Sequence, residues 1–371
     1  MNFTCDQQQL AKALNTVSKA ITTRTTIPIL KGILIKVTEE GKMILSASDL
    51  DLSIEKTIDA DVEEGGAVVV SARIFGDMIR KLPAGMISFE LDDKEKLVMK
   101  TPTSKCDIVT QSADEFPKTS EAEDILARLS FNKETFKEMI RKTQFCASID
   151  ETKGVISGVL LELEENVTNM VALDGFRMAV AREPMKNAEQ RRIIINGKIM
   201  NEVGKILQES ETDEDIEMII CEKRAIILLE KTKVVMRLLS GEFIAYKDIL
   251  PKQNNTFVKI NRLNLMEAIE RASLLTRDIK NRTIRVKITE NLMNITSASE
   301  EGNIKEDIIM EKSGSDLEIG FNFRYLLDAL KAIDDDEIIM EFDSAVKPCL
   351  IKPVDGNSYE YLILPVRIPV N

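Results

Sequence analysis

The most informative feature of this 371-residue sequence is the complete absence of histidine. Without histidine there is no Ser-His-Asp or Cys-His nucleophilic site, no HExxH metalloprotease site and no histidine-ligated metal. The sequence also lacks the glycine-rich motifs G-x-x-x-x-G-K-[ST] and G-x-G-x-x-G, which argues against phosphate-loop chemistry. These absences predict a protein with no catalytic residues, no metal and no cofactor.

Cysteine pairs and long hydrophobic runs are missing as well. The five cysteines lack a C-x-x-C spacing, so we expect small buried apolar side chains in a reducing compartment, not disulfides or a zinc site. No apolar run approaches the roughly 18 residues of a membrane span. The N-terminal MNFTCDQQQ has no signal-peptide pattern, which predicts a cytoplasmic protein with no membrane partner. The cysteines are Cys5, Cys106, Cys146, Cys221 and Cys349.

One amphipathic segment, Asn322 to Ile333, occurs in three versions along the chain. It predicts a helix, because Asn322 is a good N-cap and five apolar residues recur at helical spacing. Opposite that apolar stripe, residues alternate basic, acidic, basic, a pattern that we call a cation ladder. The three ladders are 125 and 126 residues apart, which favours three domains over two. The ladders are Arg73, Asp77 and Arg80; Lys198, Glu202 and Lys205; and Arg324, Asp328 and Lys331.

A second helix and a set of strands repeat with the first. Asp6, Asn132 and Asn261 can each cap an amphipathic segment. Short β-branched runs follow each helix, which predicts antiparallel meanders and not βαβ crossovers. The fold class is therefore α+β, with three tandem copies of a two-helix, antiparallel-sheet domain. Joints at 117–124 and 251–256 place the domains at about 1–120, 121–252 and 253–371.

The charge is unevenly distributed. The net charge is −12, yet the six predicted helices together carry +9 and the rest of the chain −21. Solvated helix faces with i, i+4 pairs would explain any single ladder. Six helices of one sign instead suggest a basic wall for duplex DNA, backed by acidic sheets. Packed in a ring, six helices leave a hole of about 8 Å and twelve leave at least about 27 Å, so two chains are needed to encircle DNA.

Carboxylate clusters at Asp49/Asp51, 213–215 and 334–336 could in principle hold Mg²⁺, but solvated turns and helix ends explain them better. In the segment Leu173 to Met178, we expect Gly175 to adopt a positive φ in a turn between strands. The C-terminal tail carries Pro365 and Pro369, so it cannot continue as a central strand; it could finish a sheet and floor a groove.

Several segments together resemble one family over the whole chain, the bacterial DNA sliding clamps, which are the beta subunits of the replicative DNA polymerase III. The resemblance implies a ring-shaped homodimer of six similar domains that surrounds duplex DNA without sequence preference and is not an enzyme. It also implies the replicative polymerase, a clamp loader and other proteins with clamp-binding peptides as partners. The segments are RTTIPIL (24–30), ASDL (47–50), DEFP (114–117), LDGFRMA (173–179), YKDILP (246–251), NFRYLLDAL (322–330) and YLILPVR (361–367).

The resemblance also implies two sets of site residues. Arg24 and Lys198 match positions that touch DNA, and to them the ladders add Arg73, Arg80, Lys205, Arg324 and Lys331. A groove for partner peptides would combine apolar anchors with polar groups. The groove residues are Ile156, Leu173, Gly175, Arg177, Met178, Ile244, Ile249, Asn322, Tyr325, Leu362, Leu364, Pro365, Val366 and Arg367.

This chain departs from the family pattern at four places. Phe176 stands where histidine is common, and Ile244 where proline is frequent. Gly154 and Val155 replace an aromatic pair on a DNA-facing loop, and the residues from Pro369 to the C-terminus extend past the usual end.

Two further hypotheses concern the dimer contact and rival functions. We expect Leu274 and Leu275 to meet Ile108 of a second chain, with Glu300 and Glu301 opposite Lys96 or Lys105. A Mg²⁺-dependent nuclease and a repeat scaffold that binds only proteins are the alternative functions. The scaffold would not respond to charge reversal in the ladders, whereas a clamp would lose DNA.

Overall fold

The structure is a computed structural model. It describes residues 1–22, 25–118, 123–187, 189–275 and 282–368. Arg24, part of the joint at 117–124 and the extension from Pro369 lie outside these ranges. Two compact units divide the chain, one comprising 1–134 with 205–238 and the other 135–204 with 239–371.

The helices and strands occur in three successive blocks. In the first block are β1 (Asn2–Asp6), α1 (Gln7–Val17), β2 (Gly32–Thr38), β3 (Lys42–Ser48), β4 (Leu52–Asp59), β5 (Asp61–Glu64), β6 (Gly66–Ser71), α2 (Ala72–Lys81), β7 (Met86–Leu91), β8 (Lys96–Lys100) and β9 (Lys105–Ser112). The second block contains β10 (Ile125–Phe131), α3 (Lys133–Thr143), β11 (Gly158–Glu164), β12 (Val167–Leu173), β13 (Arg177–Pro184), β14 (Arg191–Asn196), α4 (Gly197–Glu209), β15 (Ile216–Cys221), β16 (Arg224–Leu229) and β17 (Thr232–Arg237). The third block contains β18 (Thr256–Asn261), α5 (Arg262–Ala272), β19 (Thr283–Thr289), β20 (Leu292–Ser299), β21 (Gly302–Ile309), β22 (Glu311–Gly314), β23 (Leu317–Asn322), α6 (Phe323–Lys331), β24 (Glu337–Phe342), β25 (Cys349–Pro353) and β26 (Tyr359–Ile363).

Three antiparallel sheets hold these strands, so the predicted α+β class with antiparallel meanders is confirmed. The first unit contains one sheet in the order β10-β15-β16-β17-β4-β3-β2-β6-β9-β8-β7-β1-β5. The second unit contains two, β14-β11-β12-β13-β26-β25-β24-β18-β22 and β21-β20-β19-β23. Buried apolar side chains alternate with more exposed ones along strands such as β19, as expected for strands with one buried face.

Strand order shows the internal repeat directly. β17 pairs with β4, with Met236 opposite Leu52, and β26 pairs with β13, with Leu362 opposite Met178. A third pairing of this kind would need β9 and β21. In the described chain β21 pairs only with β20, and the part of β9 before Thr110 pairs only with β8. Both strands therefore present an open edge.

Side chains cap most of the predicted helix starts. Asp6 accepts a hydrogen bond from the Gln9 amide at 2.9 Å, and Asn261 accepts one from Asn264 at 3.0 Å. Asn322 accepts one from Arg324 at 3.1 Å. Ser71 differs, because its side chain makes no capping hydrogen bond in α2. The helices begin where the capping residues predict.

Two acidic clusters make specific contacts. Asp49 accepts the amides of Asp51 at 3.1 Å and Leu52 at 2.7 Å, which confirms its turn role. The cluster at 334–336 follows α6 and all three of its residues are exposed, as predicted; in addition, Asp334 pairs with Arg141 and Asp335 accepts the Tyr359 hydroxyl at 2.5 Å.

Four of the five cysteines are buried and Cys106 is partly buried; all five are free thiols, which agrees with their predicted packing role. Burial raises the pKa of the Cys5 thiol to about 12. None of the helices in the described ranges is both long and apolar enough to span a membrane.

Candidate functional site: a partner groove and three cation ladders

An apolar cluster in the second unit brings four of the predicted groove residues together. Leu173, Met178 and Leu362 belong to its buried part, and Ile156 packs against them partly exposed. The cluster forms because β12, β13 and β26 are neighbours in one sheet, so alternate side chains share one face. Other buried members are Leu160, Val171, Val180, Ile194, Phe243, Tyr246 and Leu350.

A tight turn forms one side of this cluster. Gly175 has φ +93°, as the sequence predicted, a value that L side chains rarely adopt. The Asp174 carboxylate accepts the amides of Phe176 at 2.9 Å and Arg177 at 3.1 Å, which fixes the turn. Phe176 is 54% exposed and stacks on Tyr325, with ring centroids 6.3 Å apart. The turn therefore places the Phe176 ring against Tyr325, which lies on α6.

The C-terminal tail runs along the same region. The Leu364 amide donates to the Phe176 carbonyl at 2.9 Å, and the Val366 amide donates to the Gly320 carbonyl at 2.8 Å. A Cβ on Gly320 would lie 2.7 Å from both the Val366 oxygen and an Ile368 side-chain carbon. Glycine is needed here because the tail passes so close to β23. The tail thus finishes a sheet edge, as its prolines predicted.

The remaining groove residues do not belong to the cluster. Ile244 and Ile249 are exposed and flank Tyr246, whose amide donates to the Ile244 carbonyl at 2.7 Å. Asn322 caps α6, and Tyr325 follows in its first turn. Pro365 is partly exposed, and Arg367 is exposed.

A polar network contacts the cluster through Tyr246. The Tyr246 hydroxyl donates to the buried Glu162 carboxylate at 2.6 Å. Asn169 donates to the same carboxylate at 3.2 Å, and Arg192 and Lys247 lie 3.2 and 3.3 Å from it. Burial and the Glu162 carboxylate raise the pKa of the Tyr246 phenol. The network balances the charge of the buried Glu162 carboxylate and fixes the position of the Tyr246 side chain.

The ladder cations are all exposed in the described helices: Arg73 and Arg80 on α2, Lys198 and Lys205 on α4, and Arg324 and Lys331 on α6. Arg80 pairs with Asp77 at 2.6 Å, three residues before it. Lys198 pairs with Glu151 at 2.6 Å and Lys331 with Glu270 at 3.2 Å, both outside their own ladders. Within the described ranges, Arg73 and Arg324 form no ion pair. The ladders therefore expose cations that phosphates can reach.

The simpler reading of a ladder, a helix face held by its own i, i+4 pairs, is wrong for α6. The carboxylate of Asp328 pairs with Arg177 at 2.6 Å instead of with Arg324 or Lys331. Arg177 comes from β13, and it also contacts Asp174 in the turn and Tyr325 on α6.

The predicted dimer contacts are only partly available on the surface. Leu274 is 56% exposed and Leu275 is partly exposed, but Ile108 is buried within its own chain, at 7% exposure. Its neighbour Val109 is 69% exposed and lies on the open edge of β9. Ile309, on the open edge of β21, is 85% exposed. Lys96 already pairs with Asp107 at 2.7 Å.

Sequence reasoning missed three contributors: Phe145, whose carbonyl accepts a hydrogen bond from Arg177 at 2.9 Å, the role of Asp328, and the exposed edge pair Val109 and Ile309. Phe145 lies two residues after the end of α3, in the 3₁₀ turn Gln144–Cys146, and its contact with Arg177 joins residues 32 positions apart, so local pattern carried no signal for it. Alternation along β9 and β21 marks every second residue as exposed, which could have singled out the edge pair. In the described ranges no three Cys, Asp or Glu side chains gather as a metal site would require.

Comparison with known proteins identifies a single family along nearly the whole chain. Three family models match, described as the N-terminal, central and C-terminal domains of the DNA polymerase III beta subunit, at residues 1–120, 130–244 and 247–367. A Beta sliding clamp of Staphylococcus epidermidis is 34% identical over 379 residues, covering 99% of each chain.

Solved structures are similar as well. The DNA polymerase sliding clamp of Bacillus subtilis superimposes with a TM-score of 0.94 at 29% identity, covering 100% of both chains. A sliding clamp of Pseudomonas aeruginosa bound to griselimycin gives 0.93 at 25% identity, covering 99% of this chain and 100% of that one.

Proposed function

The chain belongs to the family of DNA polymerase III beta subunits, the beta sliding clamps, and from that premise we propose how its surfaces carry out the family's task. It is a processivity clamp: two copies form a ring that encircles duplex DNA and tethers the replicative polymerase and other DNA-handling proteins. It is a non-catalytic subunit. Three domains, at 1–120, 121–252 and 253–371, make up each half of the ring.

The cation ladders form the DNA-facing surface of this ring. The observation that carries the assignment is that equivalent helix positions in all three repeats expose a cation: Arg73, Lys198 and Arg324. Arg24, outside the described residues, and Arg80, Lys205 and Lys331 extend the set. Contacts to phosphate carry no sequence information, so they hold the duplex without selecting a site. Weak contacts of this kind permit sliding while the closed ring prevents escape.

The open edges of β9 and β21 form the dimer contact. Because β17 pairs with β4 and β26 pairs with β13, the strands left for a third pairing are β9 and β21. In a ring of two chains, β9 of each chain pairs with β21 of the other chain, which gives two such contacts. An antiparallel alignment can place Lys105 opposite Asp307 and Asp107 opposite Lys305. The predicted residues Leu274 and Leu275 would add apolar contact next to this pairing.

The groove around Leu173, Met178 and Leu362 receives a short peptide from partner proteins, among them the polymerase and a clamp loader. Its apolar cluster supplies affinity, and the polar groups of Asn322 and Arg367 fix the peptide backbone. Partners that share one groove compete for it, which lets the same ring serve several enzymes in turn. A role in replication supports a cytoplasmic location for the protein.

Polymerase product length tests the function. With a clamp loader, this chain should lengthen the DNA synthesised in a single polymerase binding event, because the ring keeps the enzyme on its template. Products of unchanged length would contradict the proposal.

Griselimycin offers a probe for the groove, since a Pseudomonas aeruginosa clamp binds it. We expect this chain to bind it at the groove, and Leu364→Asp to weaken binding by roughly 30-fold or more, because a charge would enter an apolar contact. Calorimetric titration measures the change. Leu292→Asp, at a 37% exposed strand position outside the groove, is the matched control. Equal losses for both variants would show that griselimycin binds elsewhere.

A further inference from the structure

The guanidinium of Arg177 has all three nitrogens engaged inside the protein. Nε donates to Asp174 at 3.1 Å, Nη1 to Asp328 at 2.6 Å and Nη2 to the Phe145 carbonyl at 2.9 Å. The side chain is only 12% exposed. Each nitrogen of Arg177 thus has a partner inside the protein, and three of its five N–H groups are used. It acts as a bracket between segments.

Two aromatic rings enclose this bracket. The guanidinium carbon lies 4.6 Å from the Tyr325 ring centroid and 5.4 Å from that of Phe145. Cation–π contacts of this kind are stronger where water is excluded. Tyr325 in turn stacks on the exposed ring of Phe176, at an interplanar angle of 22°. The position of Arg177 thus sets the position of the Tyr325 ring and, through it, that of the Phe176 ring beside the groove.

Asp328 is the group that ties this arrangement to α6. Tyr325 and Asp328 are three residues apart, so they lie on one face of the helix. Arg177 contacts both of them, with its charge on Asp328 and its flat face on Tyr325. The equivalent carboxylate in α2, that of Asp77, pairs with Arg80 in its own ladder. Asp328 thus pairs with a groove residue, Arg177, and not with a cation of its own ladder.

We propose that Asp328 is a positioning residue of the partner groove: its carboxylate holds Arg177, and Arg177 holds the Phe176–Tyr325 ring pair as one wall for the bound peptide. This inference rests on the proposed use of the groove. It gives Asp328 a role in partner binding although its side chain belongs to a DNA-facing ladder and does not line the groove.

Asp328→Asn should weaken griselimycin binding by roughly tenfold, because Nη1 loses its ion pair and Arg177, tied to the Asp174 carboxylate alone, shifts away from Tyr325. Asp328 is 44% exposed, which keeps the expected loss below that of a fully buried pair. Asp328→Glu keeps the charge and should recover most of the affinity. Asp77→Asn is the matched control, at the equivalent ladder position with no groove contact, and should leave the affinity unchanged.

A double-mutant cycle separates positioning from a general structural effect. If Asp328 acts through the ring pair, adding Asp328→Asn to Tyr325→Leu should cost less than about twofold more, because the wall is already lost. Additive losses would overturn the proposal. Thermal unfolding and sedimentation of each variant show whether fold and dimer are kept.

A readout without ligand tests the positioning itself. The chain has four tyrosines, so a fluorotyrosine-labelled protein gives a simple fluorine NMR spectrum in which Tyr325→Phe identifies the Tyr325 signal. Asp328→Asn should move that signal and Asp77→Asn should not; an unmoved signal overturns the inference. If the signal moves but wild-type protein does not bind griselimycin, Asp328 still positions the rings and the proposed use of the groove fails.

Discussion

Reversing one cation in each ladder, with Arg73, Lys198 and Arg324 all changed to Glu, should leave little protein on nicked circular DNA, because repulsion by the phosphates opposes placing the ring around the duplex. A ring carries six such changes, and each replaces a phosphate contact by repulsion. If all six cations contact phosphates, the magnitude of the negative slope of log affinity against log salt concentration should decrease by about five. Binding measured at several salt concentrations gives that slope.

A matched control has the same change in net charge away from the helices. Lys36, Arg224 and Lys287 are exposed cations on β2, β16 and β19. Changing these three to Glu should leave retention close to that of the wild type. If both triple variants lose DNA equally, net charge governs binding and the ladders are not its site.

Placing charges on the two open strand edges should separate the ring into single chains. In the double variant Val109→Glu with Ile309→Glu, each interface of the ring would enclose two carboxylates in a contact now offered by exposed apolar side chains. A buried unpaired charge costs about 3 kcal/mol or more, so dimer affinity should fall at least about 100-fold. Sedimentation at several concentrations measures the dissociation constant.

Val346→Glu provides the comparison, because Val346 is 81% exposed and lies on neither edge. It should sediment as the wild-type dimer. A double variant that remains dimeric at the same concentrations would exclude the β9–β21 pairing. Leu274 and Leu275 would then be the next positions to change.

Local pattern was enough to predict the helices. For α6, a capping residue and an apolar spacing act within one segment, and the structure places the helix at Phe323–Lys331. The turn at Gly175 was predictable for the same reason, since only a residue without a Cβ adopts its φ freely. Antiparallel pairing also followed from short strands separated by turns.

Contacts between distant segments were not predictable. The Asp328–Arg177 pair joins residues 151 positions apart, and nothing local distinguishes Asp328 from Asp77. The same holds for Glu162 under Tyr246, which are 84 residues apart. For the groove, resemblance to a family supplied the residues, while the structure supplied the cluster that joins four of them and the bracket that holds its rings.

The dimer contact lies between these cases. The ring geometry predicted a second chain and the expected contact included Ile108, but the Ile108 side chain is buried in its own chain. Strand order identifies the open edges, because it shows which pairings each repeat completes and which it leaves.

Release from DNA on linearisation tests the central claim most directly. The protein is loaded onto nicked circular DNA with a clamp loader, and the bound amount is measured before and after a restriction enzyme cuts the circle once. A ring held by topology should stay on the circle at salt concentrations that weaken phosphate contacts, and should leave when the DNA gains ends. Equal retention on circular and linear DNA, or equal loss from both, would contradict encirclement.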